Sequence, residues 1–229
     1  MSETGERELE RILRAAKDSE AGIPRSRILR TTDKLFASVA GTEAPQGVAA
    51  LFRQREWGFE DLLRGTPTRE GALQGDAALV VVMAGVQDPG NVGTIVRSAE
   101  AFGATGVVAA RGTADAWSPK ALRASAGSAL RLPLLRGIAV PVLLAQLKMA
   151  RVKIYAASSK PSDAEEFTAN LREPCAIFIG SEGAGLPAEV LHAADAMISV
   201  PISAAVESLN AGVAASVVLY EAARQRRKR

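Results

Sequence analysis

The chain has 229 residues, 48% of them hydrophobic, enough to bury one large core or two small ones, and its net charge of +3 permits nucleic-acid contact without demanding it. Its single cysteine excludes an internal disulfide, and one histidine with one cysteine cannot furnish a zinc site, so no metal is expected. No apolar run reaches the roughly 18 residues of a membrane span, and the polar start MSETGERELE lacks a signal-peptide pattern, so a cytoplasmic protein with no membrane partner is expected.

In chain order, residues 5–19 carry Leu9, Ile12, Leu13 and Ala16 at helical spacing, and Gly22 and Pro24 end that helix. Residues 27–29 read as a short strand, 31–40 as a capped helix and 47–52 as another strand. Arg25, Arg27, Arg30, Lys34, Arg53 and Arg55 make this first stretch basic. Residues 56–76, polar and interrupted by Pro67, predict a short helix followed by a linker.

Beyond it, strands and helices alternate. A strand over 78–84 enters a loop at Pro89 and Gly90, and a helix follows. Asn91 is its expected cap, Val92, Ile95, Val96, Ala99 and Phe102 form its apolar face, and Arg97 falls on the opposite side. A strand at 106–109, a helix from Pro119, an apolar stretch at 132–135 and a helix from Pro141 to about 150 come next. Strands at 153–157, 176–179 and 197–200 follow, and a last helix spans 208–224. Such alternation implies a parallel sheet covered on both faces. Cys175, at the edge of an apolar strand, reads as a buried structural thiol, and His192, in a polar helix after Pro187, as a surface residue. The basic end, Arg224 to Arg229, reads as a solvated tail suited to phosphate contacts.

Three stretches carry the chemistry: 87–103 (QDPGNVGTIVRSAEAFG), 177–187 (IFIGSEGAGLP) and 198–213 (ISVPISAAVESLNAGV). Each alone has an ordinary reading, such as a solvated arginine on a capped helix or a glycine-bearing turn after a strand. In this order, N-x-G-x-x-x-R, G-x-E-G-x-G-L, then a proline followed by S-L-N, they resemble the three motifs of the SpoU (TrmH-like) RNA 2′-O-ribose methyltransferases of the SPOUT superfamily. The resemblance covers residues 80–225.

That resemblance implies an α/β SPOUT domain over 77–229 with a C-terminal trefoil knot. It also implies a linker at 57–76 and, over 1–56, a small L30e-like RNA-binding α/β domain of which only the later part is matched. S-adenosylmethionine is the implied donor, with Gly180, Val200 and Leu209 against it and Gly185, Leu186, Ile198 and Pro201 beside them. Glycines suit such a cradle because no Cβ keeps a ligand from the backbone. The catalytic set carried over is Arg97, Asn91, Glu182, Ser208 and Asn210. Arg97 is placed against the target ribose and phosphate, Glu182 as a partner able to fix Arg97, and Asn210 as a helix cap or substrate ligand. Glu207, and Arg123, Ser125 and Gly127 of the RASAG segment, are supporting candidates. The implied partners are RNA, ribosomal rather than transfer RNA, and a second copy of the chain. A catalytically silent RNA-binding protein would show damage at Arg97, Glu182 or Asn210, and none is damaged. A nicotinamide-dependent oxidoreductase would need G-x-G-x-x-G after its first strand, which GVQDPGNVG does not supply.

Overall fold

The computed structural model describes residues 6–7, 9–11, 14, 29–40, 47–64, 77–158, 165–166, 169–203 and 205–227. Residues 1–54 and 55–229 form separate compact units. In the first, the described residues among 6–14 are helical, in agreement with their apolar spacing. Helix α1 (Asp33–Val39) is capped by Thr32, whose hydroxyl oxygen accepts from Leu35 N at 3.4 Å. The strand expected at 47–52 is not formed. Gly47 takes φ +77°, and no described strand of this unit lies beside the segment to satisfy its backbone groups. The strand expected at 27–29 and the cations Arg25 and Arg27 fall mostly outside the described residues.

The second unit is built on one parallel sheet. Its strands are β1 (Leu79–Ala84), β2 (Gly106–Ala110), β3 (Leu134–Ile138), β4 (Lys153–Ser158), β5 (Glu165–Glu166), β6 (Cys175–Gly180) and β7 (Ala196–Ser199), in the order β3-β2-β1-β6-β4-β7-β5. All neighbours pair in parallel, with Leu79 opposite Cys175 and Ala84 opposite Gly180. The β1 sequence LVVVMA is apolar throughout because both its faces are covered. Leu79, Val81 and Met83 enter one core, and Val80, Val82 and Ala84 the other. The two-residue β5 was not anticipated from the sequence.

Helices α3 (Pro89–Ala101), α4 (Pro119–Ser125), α5 (Ser128–Arg131) and α8 (Ala211–Arg226) cover the first face. Helices α2 (Phe59–Arg64), α6 (Val140–Met149) and α7 (Ala188–Ala193) cover the second. Helix α2 lies within the stretch read as linker, yet Leu62 is wholly buried, and a Cβ on Gly106 would come 2.5 Å from its Cδ2. Glycine at 106 is what lets α2 settle on β2. A bidentate pair joins α3 to α5: Arg131 donates from Nε and Nη2 to Glu100 at 2.6 and 2.7 Å. The pairing holds the Glu100 carboxyl below its ordinary range. Its stabilisation is therefore present at neutral pH and fades as pH falls through the lowered folded-state value.

The end of α8 is locked in place rather than solvated. Arg226 donates to the carbonyls of Leu171 (2.6 Å), Ala77 (2.5 Å), Ala78 (3.0 Å) and Glu173 (2.8 Å). Gln225 accepts from Leu171 N at 2.9 Å and donates to Ala169 O at 3.2 Å. The reading of the basic tail thus needs correction at Arg226. Cys175 is fully buried with its thiol pKa pushed up by burial, as suits a structural residue.

Replacing Arg226 with alanine strands several carbonyls without a donor. It should cost about 2–3 kcal/mol and lower the thermal midpoint by about 5–10 °C. Arg227→Ala, at an exposed position, should stay within about 0.5 kcal/mol of the parent in the same melts.

Candidate active site

The site lies at the carboxyl edge of the sheet, where an α/β fold leaves a crevice. Helix α3 starts earlier than expected, and Asn91 is not its cap. Pro89, whose φ suits a first helical position, sits at the start of the helix, and Asp88 Oδ1 accepts from Gly90 N at 3.1 Å. Lys120 Nζ donates to the same carboxylate at 2.5 Å, and these bonds hold Asp88 below the usual carboxylate range.

With the capping role taken by Asp88, the Asn91 side chain is released to cross the site. Its Nδ2 donates to Glu182 Oε1, and its Oδ1 accepts from Asn210 Nδ2 at 3.0 Å. Asn210 is itself the cap of α8, its Oδ1 accepting from Gly212 N (3.0 Å) and Val213 N (3.2 Å). Two backbone donors fix which end of the Asn210 amide is oxygen, and that choice orients Asn91 in turn. One continuous hydrogen-bond chain thus joins the three motif segments. The expected Glu182–Arg97 pair is not formed: Glu182 accepts from Asn91 instead, and Arg97 lies six residues further along α3.

Close packing explains several glycines. A Cβ on Gly93 would lie 2.3 Å from Ala121 O, so this residue lets α3 and α4 touch, and a Cβ on Gly180 would lie 2.4 Å from the Gly185 carbonyl carbon. Ser181 and Gly185 exchange two backbone hydrogen bonds, at 3.1 and 3.0 Å, across the tight turn, and Gly185 takes φ +68°. Gly183 faces open space and meets no structural demand of either kind.

A cavity of about 110 Å³ opens beside this turn. Gly180, Gly185, Ile198, Val200 and Leu209 line it, with Glu182 and Ser208 among its polar groups. Leu186 instead faces a neighbouring groove, and the exposed Pro201 lines neither. Sequence reasoning missed the contributions of Ala157 and Ser158 from the end of β4, Ile179, Ile202, and Ala211, Ala214 and Val218 from α8. Only the apolar repeat of α8 offered a signal for them.

Arg97 is exposed on α3. It lies between the side that meets α4 at Gly93 and the side that meets α8 through Thr94 against Gly212 and the 2.7 Å Ser98–Ser216 bond. Six residues of helix separate it from Asn91, a rise of about 9 Å, and it does not line the cavity. Glu207 and Arg123 are exposed, and Ser125 is buried and donates to Leu122 O at 2.9 Å. Ala126 and Gly127 take positive φ in the turn between α4 and α5, so RASAG packs against α3 as a support. His192 is on the surface. Among the described residues no group of three or more histidine, cysteine or acidic side chains is placed to hold a metal ion.

The profile of the SpoU rRNA Methylase family matches residues 78–220, the whole of this sheet and site. The chain belongs to that family. Among SpoU relatives, the 23S rRNA (guanosine(2553)-2′-O)-methyltransferase RlmP of Bacillus subtilis is 35% identical over 208 residues, 90% of this chain and 75% of that protein. The AdoMet-bound rRNA methyltransferase of Sinorhizobium meliloti superposes with a TM-score of 0.74 at 27% identity, across 97% of this chain and 79% of that one. The SpoU methyltransferase AviRb of Streptomyces viridochromogenes, solved in complex with AdoMet, gives a TM-score of 0.63 at 30% identity, across 74% of this chain and 64% of AviRb.

Gly180→Ala should unfold at lower denaturant, with a loss of about 1–3 kcal/mol, because its Cβ meets backbone that must shift. Gly183→Ala should change stability by less than about 0.5 kcal/mol. Equal unfolding midpoints for the two variants would show that the turn does not need a glycine at 180.

Proposed function

We propose that this SpoU-family protein transfers a methyl group from S-adenosylmethionine to a ribose 2′-hydroxyl of ribosomal RNA. The observation that carries the reading is the chain Glu182–Asn91–Asn210, which ties all three motif segments together, with Glu182 lining a cavity that residues of the second and third segments enclose beside a glycine-rich turn. The cavity suits the donor. Ile198, Val200, Leu209 and Val218 offer apolar walls to an adenine ring, the backbone of 180–185 is approachable at its glycines, and the Glu182 carboxylate is a counter-charge for a cation. The bound donor would supply a methyl group on a positively charged sulfur.

The chain's own residues then have to hold RNA in line with it. Arg97 is suited to grip the phosphate and orient the 2′-hydroxyl with its fork of donors. Its guanidinium has donors but no acceptor, so it acts in deprotonation only together with the substrate phosphate. Ribosomal RNA is preferred over transfer RNA because the Bacillus relative is named for 23S rRNA. Residues 1–54, with exposed Arg30, Lys34 and Arg53, are assigned to selecting that RNA as an L30e-like unit. The site of action is the cytoplasm. Among the described residues no helix is long and apolar enough to cross a membrane.

The same reading makes the active unit a homodimer and the C-terminal segment a trefoil knot. Support for the dimer comes from Arg97, which is exposed and does not line its own cavity, and from Val213, Val217 and Tyr220. These present an exposed apolar stripe on α8. Support for the knot comes from β6 lying between β1 and β4 while Arg226 grips the segments that lead into β1 and β6, at 77–78 and 171–173.

Arg97→Ala should leave S-adenosylmethionine affinity nearly unchanged in calorimetry while single-turnover methylation falls by about a hundredfold or more. Methylation at the parental rate would reduce Arg97 to a solvated helix residue. Mixing inactive Arg97→Ala subunits with inactive Asn210→Ala subunits should restore part of the activity, since mixed dimers hold one intact composite site. An active monomer in sedimentation would refute the shared site, and dimers without recovery would place each site within one chain.

A further inference from the structure

The turn at 181–185 has two sides. One lines the cavity already described, and the other lines a groove of about 400 Å³ that the methyl-transfer mechanism does not use. The groove lies over the carboxyl ends of β1 and β2, with Ser181 and Gly185 common to both spaces. Ala84, Val140, Leu186 and Pro187 make its walls apolar, while Gln87, Arg111 and the Ser181 hydroxyl supply its polar groups.

Gln87 and Arg111 are set differently. Gln87 Nε2 is held by two carbonyls, Gly85 O at 3.1 Å and Gly112 O at 2.6 Å. Two acceptors on one end of the amide settle that end as nitrogen, so Oε1 is left as a pre-oriented acceptor. Arg111 is anchored only through its backbone, whose N–H donates to Ile138 O at 2.9 Å. Its exposed guanidinium has no hydrogen bond or ion pair among the described residues. The groove therefore offers apolar walls, one fixed acceptor and one free planar cation.

We infer that this groove seats an unstacked nucleobase of the substrate RNA, next to the nucleotide whose ribose is methylated. The inference rests on the methyl-transfer reading and names a specificity element for it. A base fits the chemistry on three counts: its faces suit the apolar walls, its ring can stack on a guanidinium plane, and every base carries an N–H donor for the Gln87 acceptor. A phosphate fits less well, because it would meet the lone pairs of Gln87 Oε1 and walls that are mostly apolar. Arg111 also matches the negative charge of any RNA strand reaching the shared turn, so the groove is continuous with the path the strand must take to the cavity.

The test uses the full chain, S-adenosylmethionine and unmethylated 23S rRNA transcript. Arg111→Ala and, separately, Gln87→Leu should raise KM for RNA by about tenfold, with kcat and donor affinity unchanged. In a second arm, transcripts carry an abasic residue at each position flanking the methylated nucleotide. One such transcript should lose about tenfold in kcat/KM with the parent enzyme and lose nothing further with Arg111→Ala. Unchanged KM in Arg111→Ala overturns the inference. So does a full abasic penalty persisting in that variant, which would make Arg111 a phosphate contact, with a salt slope reduced by about one. A parent enzyme that binds no S-adenosylmethionine and methylates no RNA would overturn the methyl-transfer reading itself, a separate failure that these variants do not mimic.

Discussion

The hydrogen-bond chain Asn210–Asn91–Glu182 is the constraint on which the site depends. It ties the first turn of α3, the turn after β6 and the start of α8, three segments separated by about ninety and thirty residues of sequence. Each member is held from behind. Asn210 is fixed by two backbone donors of α8, Glu182 rides on a turn closed by paired backbone bonds, and Asn91 is free to reach both because Asp88 has taken over capping. Supporting bonds of this kind keep a polar constellation in one geometry, which positioning of a weak nucleophile requires.

Backbone proximity makes that chain short enough to form. Side chains are absent where elements meet most closely: at Gly93 between α3 and α4, at Gly212 where α8 meets Thr94 of α3, and at Gly180 under the 181–185 turn. A methyl group at any of these sites would meet an atom of the neighbouring element at 3.1 Å or less. The glycines in the motifs are thus of two kinds. Those at 93 and 180 answer to packing within the chain, whereas Gly183 answers to no internal demand and faces open space.

Arginine shows the same division by environment. Arg226 spends its donors on four carbonyls and works as a fastener of the last helix, and Arg131 closes a bidentate pair with Glu100. Arg97 and Arg111 are exposed and have no such partners among the described residues, the state in which a guanidinium remains available to phosphate or base. Composition alone cannot separate these roles, since all four carry the same charge.

Local pattern determined much of this protein. Apolar runs of five or six residues, buried on both faces, announced β1, β2 and β6. Helical spacing announced α3 and α8, and three short motifs announced the family and about half of the residues around the cavity. These signals are legible because they arise within a few residues of one another. Strand order was not legible: β6 enters between β1 and β4 through pairings about a hundred and about twenty residues apart, and no local preference encodes them. For the same reason the contributions of Ala157, Ser158 and Val218 to the cavity, the burial of Leu62 and the carbonyl grip of Arg226 emerged only in the tertiary structure. The pattern around Asn91 suggested a cap because asparagine often is one; folding gave that task to Asp88 and turned Asn91 toward Glu182 and Asn210, partners that exist only once the sheet has brought the three segments together.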